Sequence, residues 1–336
     1  MTINKIKLPT GYLIVDEYSK GKLETLSIGD YGKHKNIKAD FLGYTRELNG
    51  VENGNIMPLQ EKWVITLSTQ YGCVMKCTFC DVPNIEFSGN VSFDDLKKQF
   101  YTGLKAYESV KYTDRLNIHF ARMGEPIFNI EVFKFSKWLA NNKRQIQDET
   151  GVRVEVIHPV LTTMCPEYKY TFERIHQWAA IKNDLFKGQA GLQISINTTS
   201  DQQRDVMFGG SSYSLKHIAQ QLEGLPTPIG RKYCLNIAYA SGNEVDGEKL
   251  AQLFDIENWM VKITPIHNNT ACRENGIKTI DGYQAYHPYK KPEESCKAAG
   301  FDTLVFIPSQ DEEDGLVTCG NAILGGSELK IVQENL

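Results

Sequence analysis

From residue 62 onward the chain alternates short, β-rich apolar runs with longer stretches whose apolar residues recur at helical spacing. Trp63–Leu67 reads as a buried strand, and runs at 115–120, 152–159, 192–197, 233–238 and 260–265 continue the series. Continuous apolar runs of this length suit strands covered on both faces. Between the first two strands, Ser92 precedes Phe93, Asp94 and Asp95. That pattern predicts a capped helix, with Leu96, Phe100 and Leu104 on its inner face. A second helix is predicted near 130–143. Six strands joined by long crossovers imply a parallel sheet, because parallel neighbours need a connection of a dozen or more residues. Right-handed crossovers curl such a sheet, so the expected class is α/β, a partial (βα)6 barrel of the TIM type. Ligands then gather at the carboxyl ends of the strands.

Two segments flank this unit. Residues 1–61 are polar, and alternating runs at 12–16 and 23–28 predict a small antiparallel β extension. Turn signals stand at Gly29-Asp30 and Asn53-Gly54. Residues 62–300 form the expected barrel and 301–336 a C-terminal segment. That segment opens on a strand-like run at 303–307, then crosses Asp311-Glu312-Glu313-Asp314 to reach Cys319-Gly320.

Composition narrows the class without choosing a function. The 336 residues are 41% hydrophobic and 23% charged, as in ordinary globular proteins. Neither an apolar run of about 18 residues nor a basic-then-apolar leader stands in the sequence, so no membrane span and no signal peptide are expected. Eight cysteines without an export signal fit a reducing, cytoplasmic setting in which thiols act as ligands or nucleophiles. The net charge of -4 gives no bulk attraction to nucleic acid.

The most specific chemistry lies in Cys73-Val-Met-Lys-Cys77-Thr-Phe-Cys80, directly after the first barrel strand. This spacing offers three thiolates to a four-iron cluster and leaves one iron without a protein ligand, whereas most such clusters take four cysteines. The amino and carboxylate groups of S-adenosylmethionine (SAM) can fill that open iron. Zinc also accepts thiolates, but it wants a fourth ligand and no second C-x2-C exists in the chain. After the second strand comes Met123-Gly124-Glu125-Pro126. There Gly124 and Glu125 let backbone and carboxylate approach an amino group, and Pro126 stiffens the exit. A plain turn is the alternative. Ser195 and Asn197, at the fourth strand's end, are candidates for the SAM carboxylate or ribose, or simple strand-end caps. His267 and Asn268 follow Thr264-Pro265 and offer hydrogen bonds to adenine or ribose; an ordinary polar loop explains them as well.

With Phe79 ahead of the last cysteine, the loop closely resembles that of the radical SAM superfamily. The order of Gly72 and the cysteine loop, then Met123–Pro126 by number 123–126, then Cys319-Gly320 resembles the RlmN/Cfr family of ribosomal RNA adenine methyl synthases, over roughly residues 11–325. The resemblance implies a partial barrel with a β extension, a [4Fe-4S] cluster and SAM as cofactors, and an electron donor such as flavodoxin or ferredoxin. In that family one SAM methylates a C-terminal cysteine. A second is reductively cleaved, and its deoxyadenosyl radical takes hydrogen from the methyl group. The resulting carbon radical adds to an electrophilic adenine carbon. By position, Cys319 would carry the methyl group, with Gly320 allowing close backbone approach, and Glu24 would be the base acting on the adduct. A buried tail cysteine and an exposed strand glutamate are the competing readings.

Three departures bear on the substrate. Where the family carries its second cysteine, seven residues before the cluster loop, this chain has Thr66, whose hydroxyl cannot readily replace a thiolate. Cys165, Cys234, Cys272 and Cys296 remain available, and Cys272 is the one expected near the barrel mouth. No room is expected for the family's N-terminal helical RNA-binding domain, and residues 306–310 carry no charge where the family is basic. Lys and Arg contacts to phosphate supply most nucleic-acid affinity, while the pairs Lys97-Lys98 and Lys290-Lys291 read as solvated faces. A small molecule, nucleotide or small RNA is therefore expected ahead of large ribosomal RNA. Two other functions stay open: a radical SAM enzyme of another reaction type with Cys319 not a methyl carrier, and a non-catalytic RNA-binding relative.

Overall fold

A computed structural model describes residues 4–8, 10–29, 57–279, 287–307 and 323–324. The chain opens with an antiparallel meander of β1 (Asn4–Leu8), β2 (Gly11–Tyr18) and β3 (Gly21–Ile28). Strand β3 then pairs antiparallel with β4 (Trp63–Leu67). After β4, a two-stranded ribbon of β5 (Gln70–Tyr71) and β6 (Gly89–Asn90) brackets the cysteine loop. The remaining strands are β7 (Tyr112–Phe120), β8 (Arg153–Thr163), β9 (Gly191–Ser195), β10 (Tyr233–Tyr239), β11 (Trp259–Pro265) and β12 (Thr303–Val305). Each of these pairs in parallel, in the order β4-β7-β8-β9-β10-β11-β12, so one ten-stranded sheet runs from β1 to β12.

Helices α1 (Phe93–Lys105), α2 (Ile130–Asn141), α3 (Lys143–Thr150) and α4 (Thr171–Ala180) supply the first crossovers. They are followed by α5 (Asp201–Met207), α6 (Leu215–Leu222), α7 (Gly247–Leu253), α8 (Thr270–Glu274) and α9 (His287–Ala298). Ser92 caps α1 as its sequence predicts, its Oγ accepting from Asp95 N at 3.1 Å. Leu96, Phe100 and Leu104 of α1 bury against the outward-facing Ile65, Ile118 and Phe120 region of the sheet. The other face of these strands alternates toward the interior and carries polar residues.

The sheet is curled, and hydrogen bonds across it measure the curl. Strands β4 and β11 are five positions apart, about 24 Å in a flat sheet. Yet Asn269 Nδ2, just past β11, donates to Phe79 O in the loop after β4 at 2.8 Å. The fold is thus the expected α/β class around a central parallel sheet, with the carboxyl ends of its first and sixth strands brought together.

Local differences from the sequence pattern have physical causes. Strand β8 continues past Pro159 to Thr163, because pairing with β9 begins only at Val160, after the proline, while Pro159 keeps Ile118 of β7 as its register partner. The helix predicted near 130–143 divides at Asn142, whose φ of -126° lies outside the helical region. Strand β1 has no counterpart in the sequence pattern because its alternation holds only two apolar positions, Ile6 and Leu8, over five residues. The turn signals Asp30 and Asn53-Gly54 and the acidic run 311–314 lie outside the described residues. Among the described residues no helix is long and apolar enough to cross a membrane.

Candidate active site

The cysteine loop is held from both ends. Gly72 opens it with φ +74°, and a Cβ there would lie 2.8 Å from the carbonyl oxygens of Ile85 and Glu86, where the loop returns. On the far side, Thr78 N donates to Met207 O at 2.9 Å, and Asp81 Oδ1 accepts from Ala271 N of α8 at 2.6 Å. Cys272 Sγ lies 3.5 Å from Phe79 O, so the thiol expected near the barrel mouth does lie beside the loop. Phe79 itself packs edge-on against Phe208, with centroids 5.6 Å apart.

Burial separates the thiols into two classes. Cys73, Cys77 and Cys80 are half-buried, whereas Cys165, Cys234, Cys272 and Cys296 are fully buried. Cys73 and Cys77 border an apolar wall of Met75, Met164 and Phe208. Burial pushes the Cys73 thiol up to about 11. Burial also pushes Cys77 well above its ordinary value, and neighbouring Cys80, Cys73 and Glu125 add to the effect. Three thiols so close repel one another as thiolates unless positive charge lies between them, and the irons of a cluster would supply that charge. Among the described residues no three His, Cys, Asp or Glu side chains form a single-ion site. A cubane cluster binds each thiolate at a different iron and asks for no such convergence, so the donor set fits it.

The segment after β7 is stitched to the one after β4. Thr69 N donates to Met123 O at 2.7 Å, and Gln70 Oε1 accepts from Glu125 N at 3.1 Å. Gly124, with φ +94°, lies so close to Gln70 that a Cβ would come within 2.5 Å of its side chain. Glu125 is buried, and its carboxylate accepts from Ile127 N and Met164 N, each at 3.1 Å. Burial raises its pKa to about 7, held back by those two N–H groups and the Thr163 hydroxyl. Replacing Gly124 with alanine should therefore strain the turn and push on Gln70. We expect a loss of about 1–3 kcal/mol in denaturant unfolding, together with weaker SAM binding by equilibrium dialysis.

The rim residues separate into distinct roles. Ser195 is half-buried at the end of β9, and its carbonyl accepts from Arg204 Nη1 at 3.2 Å. Asn197 is buried in the left-handed region at φ +59°, and its Oδ1 accepts from Ala238 N at 3.0 Å. That side-chain oxygen holds β10, which leaves Ser195 with the freer geometry for a ligand. His267 follows β11; burial, with Arg122 nearby, lowers its pKa to about 4. Asn268 O accepts from Arg273 Nη1 at 2.7 Å, which shapes the loop beside it.

On β3, Glu24 is wholly buried and forms an ion pair with Arg122 at 2.6 Å. Glu24 Oε1 also accepts from Ile323 N at 2.8 Å, so the chain returns to this strand just past the tail cysteine. Ile323 packs there with Leu26, Val15 and Val64. Thr66 stands opposite Leu26 on one side and His119 on the other, and its buried hydroxyl has no hydrogen-bond partner. Cys319 and Gly320 lie outside the described residues. Arg122 and Gln70 escaped the sequence reading. An arginine immediately before Met-Gly-Glu-Pro was the available signal, since a buried guanidinium needs an acidic partner.

No protein-family model matches the chain. Its sequence is 23% identical over 264 residues to the dual-specificity RNA methyltransferase RlmN of Geotalea uraniireducens, covering 75% of this chain and 69% of that protein. Over a shorter stretch of 109 residues it is 35% identical to RlmN of Campylobacter lari, covering 32% of this chain and 30% of that protein. The match thus spans about two thirds of the first relative and under a third of the second. A radical SAM methyltransferase from Sphaerobacter thermophilus has a similar fold, with a TM-score of 0.56 at 16% identity, covering 88% of this chain and 72% of that one.

Proposed function

Because the chain is a distant relative of the RlmN/Cfr-like radical SAM methyltransferases, we propose that it is an enzyme of that type acting through Cys319. Its cofactors are a [4Fe-4S] cluster and SAM. When bound, the cluster supplies the electron that cleaves the SAM sulfonium. Cys73, Cys77 and Cys80 would hold the cluster, beside the apolar wall of Met75, Met164 and Phe208. Gly124 would bring backbone close to the SAM amino group and Ser195 would take the carboxylate or ribose, while the Glu125 carboxylate braces the turn by accepting from Ile127 N and Met164 N. His267 and Asn268 border the adenine.

The observation that carries the methyl-carrier reading is the bond from Ile323 N to Glu24. Ile323 stands four positions after Cys319 in the sequence, and its anchor is the carboxylate that the resemblance makes the base. Glu24 and Thr66 lie on adjacent strands there. The one-carbon unit goes to an sp2 carbon of a purine-like or other small substrate. With Thr66 in place of a thiol, product release uses another group, and Cys272 is the nearest candidate to the cluster loop. The RlmN relatives are named for action on RNA. For this chain the partners are an electron donor of the flavodoxin or ferredoxin kind and a small molecule, nucleotide or small RNA, in the cytoplasm.

Peptide mass spectrometry of Cys319 tests the proposal, on anaerobically reconstituted protein incubated with SAM and reductant. A methyl or methylene-derived mass on Cys319 is expected. Unmodified Cys319 beside abundant 5′-deoxyadenosine would overturn the carrier role and leave a radical SAM enzyme of another reaction type.

A further inference from the structure

Toward the amino ends of the strands from the cysteine loop, the inner face of the sheet carries basic and imidazole side chains that the functional reading above does not employ. Lys262 of β11 pairs in register with Asn236 of β10, and His119 of β7 pairs with Thr66 of β4. His158 of β8 accepts at Nε2 from Arg231 Nη1 at 2.8 Å. An arginine can only donate, so Nε2 is the acceptor and Nδ1 carries the ring hydrogen. That Nδ1–H is buried and has no hydrogen-bond partner, and His158 as a whole is 1% exposed. Asn236 Oδ1 is a buried acceptor that is likewise without a donor.

Lys262, Asn236, His119 and His158 all occupy inward-facing positions of their strands. Lys262, Lys62, Arg231 and Arg115 act electrostatically on His119, which burial and those charges push down to about 3. Burial lowers Lys262 as well, with Arg231 and Lys62 contributing and the Cys234 thiol opposing. Among the described residues no carboxylate forms an ion pair with Lys262, whose ammonium instead lies 5.6 Å from the Phe306 ring centroid. Lys262 and His119 are each half-buried on this inner face. An enclosed ammonium and an orphaned imidazole N–H are costly unless an acceptor with negative charge meets them.

We propose that this inner face binds a phosphate group, and that the substrate is a phosphorylated, hydroxyl-bearing small molecule of the nucleoside monophosphate class. A phosphate dianion matches the Lys262 ammonium and the orphaned His158 N–H better than a singly charged carboxylate does. Asn236 Oδ1 then accepts from a sugar hydroxyl of the same molecule. The phosphate held between β8 and β11 aims the base up toward the carboxyl ends of the strands, where the cysteine loop stands. This assignment rests on the functional reading above for the chemistry, but the anion site stands on its own residues.

The test is calorimetric titration of the anaerobically reconstituted protein with inorganic pyrophosphate, AMP and adenosine. AMP is expected to bind at least tenfold more tightly than adenosine, with pyrophosphate competing. Lys262→Met should erase the tenfold preference and Lys262→Arg should keep most of it. His119→Gln should weaken AMP severalfold, and it carries the test if Lys262→Met melts early in a thermal scan. Equal binding of AMP and adenosine, no binding of pyrophosphate or AMP, or an intact preference in Lys262→Met would each overturn the proposal. Failure of the functional reading is seen elsewhere, in the Cys319 mass spectrum, so the two outcomes are distinguishable.

Discussion

Cys77→Ala is expected to strip the protein of iron. Reconstituted wild-type chain should hold about four irons with the broad visible absorption of a cubane cluster, and the variant should fall to background. Formation of 5′-deoxyadenosine from SAM should fall below detection with it. Cys296→Ala is the control, because Cys296 is buried in α9 and away from the loop. It should keep both iron and SAM cleavage. Iron retained in Cys77→Ala, or lost equally in Cys296→Ala, would remove the cluster assignment.

The second large effect is on stability. Arg122→Met should destabilise the fold by about 3–5 kcal/mol, since it leaves the carboxylate of Glu24 buried without its counter-charge. The side chains are only 2% and 0% exposed, so water cannot take over the arginine's role. The penalty is the desolvation of one orphaned ion, not the worth of the pair. Glu24→Gln combined with Arg122→Met should therefore recover a large part of the loss. Urea unfolding of the single and double variants measures both numbers. Additive losses in the double variant would show that the two groups are not coupled. The same variants also probe the tail, because Glu24 accepts from Ile323 N. Under the proposed carrier role, Glu24→Gln should show less methylation of Cys319 than wild type, because its anchor is loosened.

Legibility tracked the length scale of each feature. The six barrel strands could be read because each is a continuous apolar run whose signal is local, and the cap of α1 needed only the four residues from Ser92 to Asp95. Strands β5 and β6 are two residues each, too short for any periodicity to register. The cysteine loop was legible for a chemical reason, since three thiols in eight residues have few uses besides a metal or cluster. Lys262 was passed over although a lysine inside the run Trp259–Pro265 breaks an apolar pattern. Such a break marks an inward-facing polar position when the strand belongs to a curled sheet.

The sequence by itself determined the parallel α/β order, the spacing of the three loop thiols, and the Gly124-Glu125 turn after the second barrel strand. All of these depend on neighbours within a few residues of one another, where spacing and side-chain type carry the information. Only the tertiary structure decided that Arg122 neutralises Glu24, that Ile323 returns to the same carboxylate, and that Asn197 spends its side chain holding β10. It alone brought His119, His158 and Lys262 to one interior face, from strands separated by long crossovers. Those relations arise from the curl of the sheet. Curl sums small rotations over many strands, and no local pattern encodes which distant side chains it will set opposite each other.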